Sequence, residues 1–322
     1  MEFRALGKTG VDVAELSFGA WGIGGDQWSG TDDAESLRAL RRAMEMGVNF
    51  IDTALVYGDG HGEKLVGRAV KEARSGARVA SKIPPKDGAW PARKGAPVED
   101  VYPAEWVVEC TERSLSNLGL GTIDLQQFHV WSDEWAHEGD WPEAVDKLRH
   151  EGKIRAFGIS VNDHDPANGI ELVKSGMVDT VQVIYNIFDQ SPEEELFPAA
   201  EGAHVGVIVR SPLDEGGLTG MVKPGTTFPE GDWRRDYFAG DRKAQVWQRV
   251  QAIAKDLGIP VGRLPEVALR FCLSNPAVST VAAGMRSVQN VEANVRAAQL
   301  GPLSADEVEI LRHHGWARNF YI

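Results

Sequence analysis

Four side chains of the kinds that move protons lie at or just after apolar runs in the first half of the chain. The run NFID ends in Asp52, Tyr57 follows five residues later, RVASK ends in Lys82, and His129 follows IDLQQF. An apolar strand that ends in an ionisable side chain is typical of a parallel barrel, whose strands deliver polar groups to one face. A surface acid on an ordinary strand explains any single position equally well, so the four must be judged together.

Together these side chains suit proton transfer to a carbonyl oxygen. A free phenol such as Tyr57 has a pKa of about 10, so it is a weak acid near neutrality unless its anion is stabilised. Lys82 would supply the stabilising charge, and Asp52 would keep that lysine protonated against desolvation. His129, as a neutral imidazole, would orient the oxygen through a hydrogen bond. None of the four donates a hydride, so a reduction here requires a cofactor.

The elements that must position these residues alternate between strand and helix. A small hairpin is predicted in the N-terminal segment FRALGKTGVDVA, after which eight strand patterns are each followed by a helical pattern. Such alternation favours parallel pairing with right-handed crossovers, and eight units close a barrel. We predict an α/β fold, a (β/α)8 TIM barrel with an N-terminal β-hairpin and extra C-terminal helices, as a single domain over residues 1–322. The alternative, an open doubly wound sheet, is disfavoured because no glycine cluster fits GxGxxG.

Helix boundaries follow from capping residues and periodicity. Asp32 is expected to cap the first helix, with Glu35 completing a capping box. Further helices are expected at residues 103–118, 141–150, 166–175, 192–202, 241–257, 264–273, 288–298 and 304–314. Two long loops, 83–102 and 211–240, are the expected places for specificity.

The later strands also end in groups that form hydrogen bonds. In a barrel these ends gather on the face that carries Asp52 and Lys82. They are Ser160 for the fifth strand, Gln182 and Tyr185 for the sixth, Ser211 for the seventh, and Gly284 with Arg286 for the eighth.

These combined motifs resemble the aldo-keto reductase family over nearly the whole chain. DTALVYG, ASK and LQQFHVW are similar to the family's catalytic tetrad, in motif and in order along the chain. GISVND, QVIYN and SPLDEGGLTG are similar to its cofactor-binding segments. The resemblance implies a barrel that binds NADPH without a Rossmann fold and reduces carbonyls, with Tyr57 as general acid, Lys82 and Asp52 tuning it, and His129 placing the carbonyl.

The resemblance also implies a cofactor site. Tyr185 would stack on the nicotinamide, Ser160 and Gln182 would hold its carboxamide, and Ser211 with Leu213 would lie along the pyrophosphate. Arg286 would pair with a ribose 2′-phosphate, so NADP(H) is favoured over NAD(H). The full set of expected cofactor-binding residues is Gly19, Trp21, Ser160, Asn162, Gln182, Tyr185, Arg210, Ser211, Leu213, Gly284, Arg286, Asn290 and Asn294.

Three positions depart from the family pattern. Val161 stands between Ser160 and Asn162, where the family usually has Asn directly after Ser, and Ala283 occupies a position where proline is common. Arg210 precedes SPL, where many relatives carry an aromatic residue. Its charge would lie near the phosphates, in the substrate pocket, or in solvent.

The substrate is expected to be a small aldehyde, ketone or sugar. The chain has ten tryptophans, and several fall in loops beyond strand ends. Trp21 and Trp131 are the expected substrate walls, beside Tyr57 and His129. Core or loop packing explains an individual tryptophan equally well.

Net charge and composition limit the kinds of partner that the protein is expected to have. A formal net charge of −13 disfavours surfaces for nucleic acid or anionic membranes. Cys110 and Cys272 lack metal-ligand spacing and are expected to be buried, reduced residues of a cytoplasmic protein. The N-terminal charges do not match a signal peptide, and no histidine spacing predicts a metal site. The oligomeric state stays open.

Three functional classes compete at this point. The leading hypothesis is an NADPH-dependent reductase of aldehydes or ketones, possible also in reverse on sugar hemiacetals or alcohols. The main alternative is an NADP-binding, redox-sensing regulatory subunit with little turnover. A metal-dependent barrel hydrolase is the third, and it requires a metal site that the histidine spacing does not predict.

Overall fold

Eight parallel strands close into a barrel. A computed structural model describes residues 1–25, 27–74 and 76–321, and in it eight strands, from Leu16–Gly19 to Val278–Gly284, pair in sequence order and close into a ring where the last pairs with the first. The predicted barrel is therefore confirmed. The ten strands are β1 (Phe3–Ala5), β2 (Asp12–Ala14), β3 (Leu16–Gly19), β4 (Phe50–Asp52), β5 (Arg78–Ile83), β6 (Ile123–Phe128), β7 (Ile154–Ser160), β8 (Thr180–Ile184), β9 (Gly206–Arg210) and β10 (Val278–Gly284).

Strands β1 and β2 pair as the predicted antiparallel hairpin and close the amino-terminal end of the barrel. Leu6 and Val13 pack into the apolar cluster inside the barrel, so the hairpin serves as its lower plug. Gly7 makes this close approach possible. Its φ is +55°, and a Cβ there would lie 2.2 Å from the backbone nitrogen of Gly206.

Helices surround the barrel, largely where periodicity predicts them. They are α1 (Asp33–Glu45), α2 (His61–Ala73), α3 (Val98–Val101), α4 (Ala104–Leu118), α5 (Trp141–His150), α6 (Ile170–Ser175), α7 (Leu196–Gly202), α8 (Arg234–Tyr237), α9 (Arg242–Asp256), α10 (Leu264–Ser274), α11 (Val288–Gln299) and α12 (Ala305–Arg312). Cys110 and Cys272 are buried free thiols in α4 and α10. Burial raises the pKa of the Cys110 thiol to about 12.

Two helix starts differ from the sequence prediction. Helix α6 begins at Ile170 rather than at residue 166, because Asn168 uses its side chain to bind Trp131 O and the backbone N–H of Asp133. Between 191 and 202, a 3₁₀ turn and α7 replace one continuous helix.

The capping box predicted for α1 forms only in half. Asp32 accepts a hydrogen bond from the backbone N–H of Glu35 at 2.7 Å, as expected. The Glu35 carboxylate instead accepts from Val288 N–H and from Arg38. Glu35 therefore links the first helix to α11, a long-range contact that local sequence does not reveal.

The inside of the barrel changes from apolar to polar along its strands. Side chains of an apolar layer meet near the hairpin: Phe50, Ala80, Leu125, Ala156, Ile208 and Ala282. Two residues farther along a strand, a side chain points to the same face. The next inward layer is therefore Asp52, Lys82, Gln127, Gly158, Arg210 and Gly284. Strand parity alone thus places the ionisable groups together at the carboxyl-terminal mouth.

We predict that Gly67→Ala destabilises the fold although glycine is a poor helix former. Gly67 lies in α2 where a Cβ would approach the carbonyl oxygen of Leu118 to 2.0 Å, so the α2–α4 contact must open. The expected loss is about 1–3 kcal/mol in urea unfolding.

Gly202→Ala is the matched control for this substitution. Gly202 ends α7, and a Cβ there meets nothing within 4 Å, so its replacement should be neutral or stabilising by up to about 1 kcal/mol. Equal effects of the two substitutions would contradict the tight α2–α4 contact.

Candidate active site

A buried ion pair lies at the centre of the barrel mouth. Lys82 Nζ donates to Asp52 Oδ2 at 2.6 Å and to the Thr53 carbonyl at 2.8 Å, and its side chain has 0% exposure. The other Asp52 oxygen accepts from Gln182 Nε2 at 2.9 Å and from Gln127 Nε2 at 3.4 Å. Burial lowers the pKa of Lys82, and the adjacent Asp52 acts in the opposite direction. The carboxylate thus offsets part of the desolvation of the lysine.

Tyr57 lies directly beside this pair, in the loop between β4 and α2. Lys82 Nζ is 5.2 Å from the centre of its ring, and the His129 ring is 5.8 Å away between centroids. Burial, followed by the charge of Asp52, raises the pKa of the Tyr57 phenol well above 10, whereas Arg210 lowers it. The phenol is therefore a protonated group, available as a donor. Lys82 donates its hydrogen bonds to Asp52 and to the Thr53 carbonyl. Its ammonium therefore lies near the Tyr57 ring without a hydrogen bond to the phenol.

His129 is the fourth member of the cluster, after Asp52, Lys82 and Tyr57, and its imidazole is neutral. Burial lowers its pKa well below 6.5, and the positive charges of Lys82 and Arg210 add to the effect. Its Nδ1 is buried without a hydrogen-bond partner among the described residues. The ring contacts Trp90 edge-to-face at 4.5 Å between centroids. A neutral imidazole with an unpaired ring nitrogen can form a hydrogen bond with a polar ligand at the mouth of the barrel.

Arg210 belongs to the same inward layer and does not lie in solvent. Its Nη2 donates to the Val161 carbonyl at 3.1 Å and to Asp163 Oδ1 at 2.8 Å, and its side chain is 22% exposed. Its positive charge lowers the pKa of Tyr57, of Lys82 and of His129. Of the three locations left open by the sequence, solvent is thereby excluded.

Aromatic residues border the mouth. Trp21 stacks on Tyr57 with centroids 6.4 Å apart and contacts Trp233 at 4.9 Å, as well as Trp28 at 5.5 Å. Trp90 reaches His129 from the long loop between β5 and α3. Sequence analysis did not select Trp90, although its position in a long loop after a catalytic strand was a signal for it.

The expectation that Trp131 contacts substrate is wrong. Trp131 is fully buried in an aromatic cluster with Phe128, Trp135 and Trp141, and its indole nitrogen donates to Asp133. This cluster lies in the layer between strands and helices. Two residues after His129 the chain has left the strand, so strand parity no longer predicts the direction of a side chain.

The expectation that Tyr185 stacks on a nicotinamide is also wrong. Gln182 points inward to Asp52, so the alternation of the strand turns Tyr185 outward. There it stacks on Phe271 at 5.4 Å, contacts Phe197 at 5.0 Å, and donates a hydrogen bond to Glu193. It is 1% exposed and belongs to the packing between the barrel and its helices.

Neutral polar groups line the mouth beside the ion pair. Ser160 and Gln182 are register partners on β7 and β8, and Gln182 uses its amide nitrogen on Asp52, which leaves its amide oxygen. Asn162 is buried, and its Oδ1 accepts from the backbone of Ala92. Hydroxyl and amide groups at adjacent strand ends fit an amide-bearing ligand, which both donates and accepts hydrogen bonds.

A second set of predicted residues lies toward β10. Arg286 donates to the Ser29 carbonyl at 3.0 Å, and its guanidinium lies 5.3 Å from the centre of the Trp28 ring. Gly19 and Gly284 are register partners that form the adjacent rim. Asn294 is buried and donates to the Gly284 carbonyl at 3.3 Å, whereas Asn290 is exposed and uses its backbone N–H to bind Ser287. Arg286 is the cation of this set and fits an anionic group.

The segment after β9 is held by the C-terminal tail. Ser211 donates to Glu215, which also accepts from Tyr321 at 2.6 Å, while Leu213 is half-buried. Arg318 and Asp214 form an ion pair with 5% and 2% of their side chains exposed. Asp214 raises the pKa of Arg318, against desolvation. Sequence analysis did not identify this contact, because it joins residues more than 100 positions apart.

A family model described as the Aldo/keto reductase family matches residues 15–315. The chain belongs to this family. It is accordingly an oxidoreductase acting on carbonyl or alcohol groups, and family members use nicotinamide cofactors. The aldo-keto reductase AKR11C1 from Bacillus halodurans, in its holo form, is similar in structure, with a TM-score of 0.76, 30% identity, and coverage of 99% of this chain and 97% of that chain.

Curated members of the family carry several different functional names. Aldo-keto reductase YhdN of Bacillus subtilis is 30% identical over 91% of this chain and 87% of its own length. An NADH-specific methylglyoxal reductase of Escherichia coli is 28% identical over 94% of each chain. A probable voltage-gated potassium channel subunit beta of Arabidopsis thaliana is 28% identical over 94% of this chain and 93% of its own. Family membership therefore leaves the substrate and the choice between NADH and NADPH open.

Two other kinds of feature are absent from the described residues. Within residues 1–25, 27–74 and 76–321, no group of three or more His, Cys, Asp or Glu side chains is arranged to hold a metal ion. In the same part of the chain, no helix is both long and apolar enough to cross a bilayer.

We predict that the imidazole of His129 stays neutral into the acidic range. Its lowered pKa means that protonation occurs only well below pH 6.5, so its NMR signals should not shift between pH 8 and about 5.5. The signal is assigned by its loss in His129→Gln. An inflection near pH 6.5 would show that the ring is solvated and would contradict the buried geometry.

Proposed function

We propose that this protein reduces aldehyde or ketone carbonyls with NADPH, and that Tyr57 is the proton donor. The observation that carries the proposal is the cluster at the mouth: the protonated phenol of Tyr57, whose ring centre is 5.2 Å from Lys82 Nζ, beside a neutral histidine. The same groups can act in reverse on an alcohol or a sugar hemiacetal, because a proton donor in one direction is the acceptor in the other.

Each side chain has a separate task at the reacting oxygen. Tyr57 donates its phenolic proton to that oxygen as negative charge develops there, while His129 donates a hydrogen bond that orients it. The Lys82 ammonium stabilises the phenolate that remains. Asp52 keeps the ammonium charged, and its hydrogen bonds from Gln182 and Gln127 hold the carboxylate in place. Solvent returns the proton to Tyr57 after product leaves.

The residues proposed to bind the cofactor form two groups, one around the nicotinamide and pyrophosphate and one around the adenosine. A bound reduced nicotinamide would supply the hydride that no side chain here can donate. Its carboxamide suits the hydroxyl and amides of Ser160, Asn162 and Gln182. Ser211 and Leu213, on the segment after β9, are proposed to lie along the pyrophosphate. On the opposite rim, Gly19 and Trp21 border the site, and Gly284, Asn290 and Asn294 surround the position proposed for the adenosine.

A small carbonyl compound is the proposed substrate. Trp21 and His129 contact the Tyr57 ring, and Trp90 extends this aromatic surface on the side of His129. Such walls suit a short aldehyde, a ketone or the flat face of a sugar. We place the reaction in the cytoplasm, where two buried free thiols stay reduced.

A regulatory role is the second candidate, and it is favoured by relatives named as potassium channel beta subunits. An NADP-binding sensor needs the cofactor site but does not need a working proton donor. Stopped-flow fluorescence of bound NADPH with a panel of carbonyls separates the two roles. Rapid oxidation supports the reductase, whereas binding without oxidation across the panel supports the sensor.

Tyr57→Phe should abolish turnover and leave cofactor binding intact. Removal of the phenolic hydroxyl takes away the proton donor, so kcat for nitrobenzaldehyde should fall by about 10²–10⁴-fold. The Kd for NADPH, measured by fluorescence titration, should change little. Tyr185→Phe, the same change at a tyrosine that packs outside the barrel, should retain turnover. Full activity in Tyr57→Phe would exclude the proposed mechanism.

The preference for NADPH rests on Arg286 and its neighbour Arg234. Their guanidinium carbons lie 5.3 and 4.3 Å from the centre of the Trp28 ring. Burial lowers the pKa of Arg286, and the charge of Arg234 lowers it further. Arg234 is itself paired with Asp232, so Arg286 is the arginine of this pair without a bound carboxylate. A dianionic phosphate would supply the missing partner, and NADH has no such group to offer.

Arg286→Met should therefore weaken NADPH selectively. The Kd for NADPH should rise about 10–100-fold, the range expected for losing a charge-assisted contact, while the Kd for NADH stays within about threefold. NADH is the internal control for folding and for the rest of the site. An equal rise for both cofactors would assign Arg286 to a part of the cofactor that they share.

A further inference from the structure

Glu63 is a buried carboxylate to which the four catalytic groups assign no role. It lies in the first turn of α2 and has 0% exposure. Its Oε1 accepts from the Ser81 hydroxyl at 2.5 Å, and its Oε2 accepts from the Asn117 amide at 2.8 Å. Each oxygen is thus an acceptor, as in an ionised carboxylate, and the helix N-terminus favours that negative charge. Both donors are neutral, so the charge is solvated without being cancelled.

The Glu63 carboxylate lies behind the strand that carries Lys82. Ser81 and Lys82 are neighbours on β5, and strand alternation turns Lys82 into the barrel and Ser81 toward α2. Asp52 and Glu63 therefore contact the same strand from opposite sides, one through Lys82 and the other through Ser81. The negative charge of Glu63 raises the pKa of Lys82, in the same direction as Asp52.

The turn that Glu63 anchors is also in contact with Tyr57. The Gly62 N–H donates to the Tyr57 carbonyl at 3.0 Å, and a Cβ on Gly62 would lie 3.3 Å from the Tyr57 Cβ. Gly60, at a φ of +84°, packs against Asn117, where a Cβ would approach Nδ2 to 2.2 Å. Because Glu63 joins this turn to both β5 and α4, it fixes Tyr57 and Lys82 relative to each other.

The other ionisable groups near Lys82 and Glu63 do not provide a further negative charge. The pKa of the Tyr57 phenol lies well above 10 and that of His129 well below 6.5, so both are neutral between about pH 7 and 9. The Cys110 thiol faces Glu63 from α4, and burial raises its pKa to about 12. The charged groups acting on Lys82 are Asp52, Arg210 and Glu63.

We propose that Glu63 is a positioning residue of the proton-transfer site and a second counter-charge for Lys82, acting from the side of β5 opposite to Asp52. The inference rests on the proposed function, in which the Lys82 ammonium stabilises the Tyr57 phenolate. Charges are weakly screened in this buried layer, so a carboxylate that does not touch the lysine still favours its protonated form. Glu63 thereby extends to higher pH the range in which the phenolate is stabilised.

The test follows the ionisation of Lys82 by NMR of protein labelled with ¹³C at lysine Cε, with the signal assigned by its loss in Lys82→Met. Glu63→Gln removes the charge and keeps the shape, since the new amide can accept from Ser81 while the Asn117 amide turns to accept from it. The midpoint of Lys82 deprotonation should fall by about 0.5–1 pH unit, because loss of a negative charge favours the neutral amine. The alkaline limb of kcat for nitrobenzaldehyde reduction should move in the same direction.

Two control variants separate charge from packing. Ser81→Ala removes one hydrogen bond and retains the Glu63 charge, so it should leave the Lys82 midpoint unchanged even where it lowers kcat. Glu15→Gln makes the same chemical change at another buried carboxylate, which is 5% exposed and pairs with Arg4 at the amino-terminal end of the barrel. It should also leave the midpoint unchanged.

A second measurement needs no variant and applies if Glu63→Gln does not fold. In wild-type protein labelled with ¹³C at glutamate Cδ, the Glu63 signal, assigned by its contact with the Asn117 amide protons, should be that of an ionised carboxylate at pH 7. Three results would overturn the inference: a neutral Glu63 at pH 7, an unchanged Lys82 midpoint in folded Glu63→Gln, or an equal shift in Ser81→Ala. A protein whose Lys82 midpoint responds as expected but which oxidises NADPH with no carbonyl would instead refute the proposed function.

Discussion

The site depends on the desolvation of Lys82. A fully buried ammonium is unstable unless a carboxylate and further hydrogen bonds compensate it, and Asp52 with the Thr53 carbonyl meets that demand. Asp52 in turn requires donors, which Gln182 and Gln127 supply from two other strands. One buried charge therefore ties together four strands of the barrel. Their relative positions are fixed by the same contacts that define the chemistry at Tyr57.

This constraint also explains why the inner barrel is divided into layers. Below Asp52 and Lys82, side chains from Phe50 to Ile208 fill the interior with apolar groups, and the hairpin seals the end. Water is thereby excluded from beneath the ion pair, so the field around Tyr57 is weakly screened. Burial raises the pKa of the phenol and lowers that of His129, which leaves both groups in their neutral, hydrogen-bonding forms.

Sequence reasoning was reliable where periodicity and strand parity apply, and failed beyond the strand ends. Asp52 and Lys82 lie within strands, so their direction follows from the alternation that buries their neighbours. Trp131 lies past the end of its strand, where parity no longer applies, and it packs between strands and helices. Tyr185 faces outward by the same alternation that turns Gln182 inward, and its expected contact with the nicotinamide came from the family resemblance rather than from parity. The contact of Asp214 with the C-terminal tail spans too many residues for any local pattern to reveal.

Three arginines surround the mouth, and their surroundings separate their roles. Arg286 and Arg234 flank Trp28 on the rim near Ser29. Arg234 is paired with Asp232, whereas no carboxylate is bound to Arg286 among the described residues, so Arg286 retains its charge for an anion. Arg210 lies deep beside Val161 and within reach of the field at Tyr57. In the proposed function, phosphate recognition is assigned to Arg286 at the rim, whereas the charge of Arg210 acts on the groups around Tyr57.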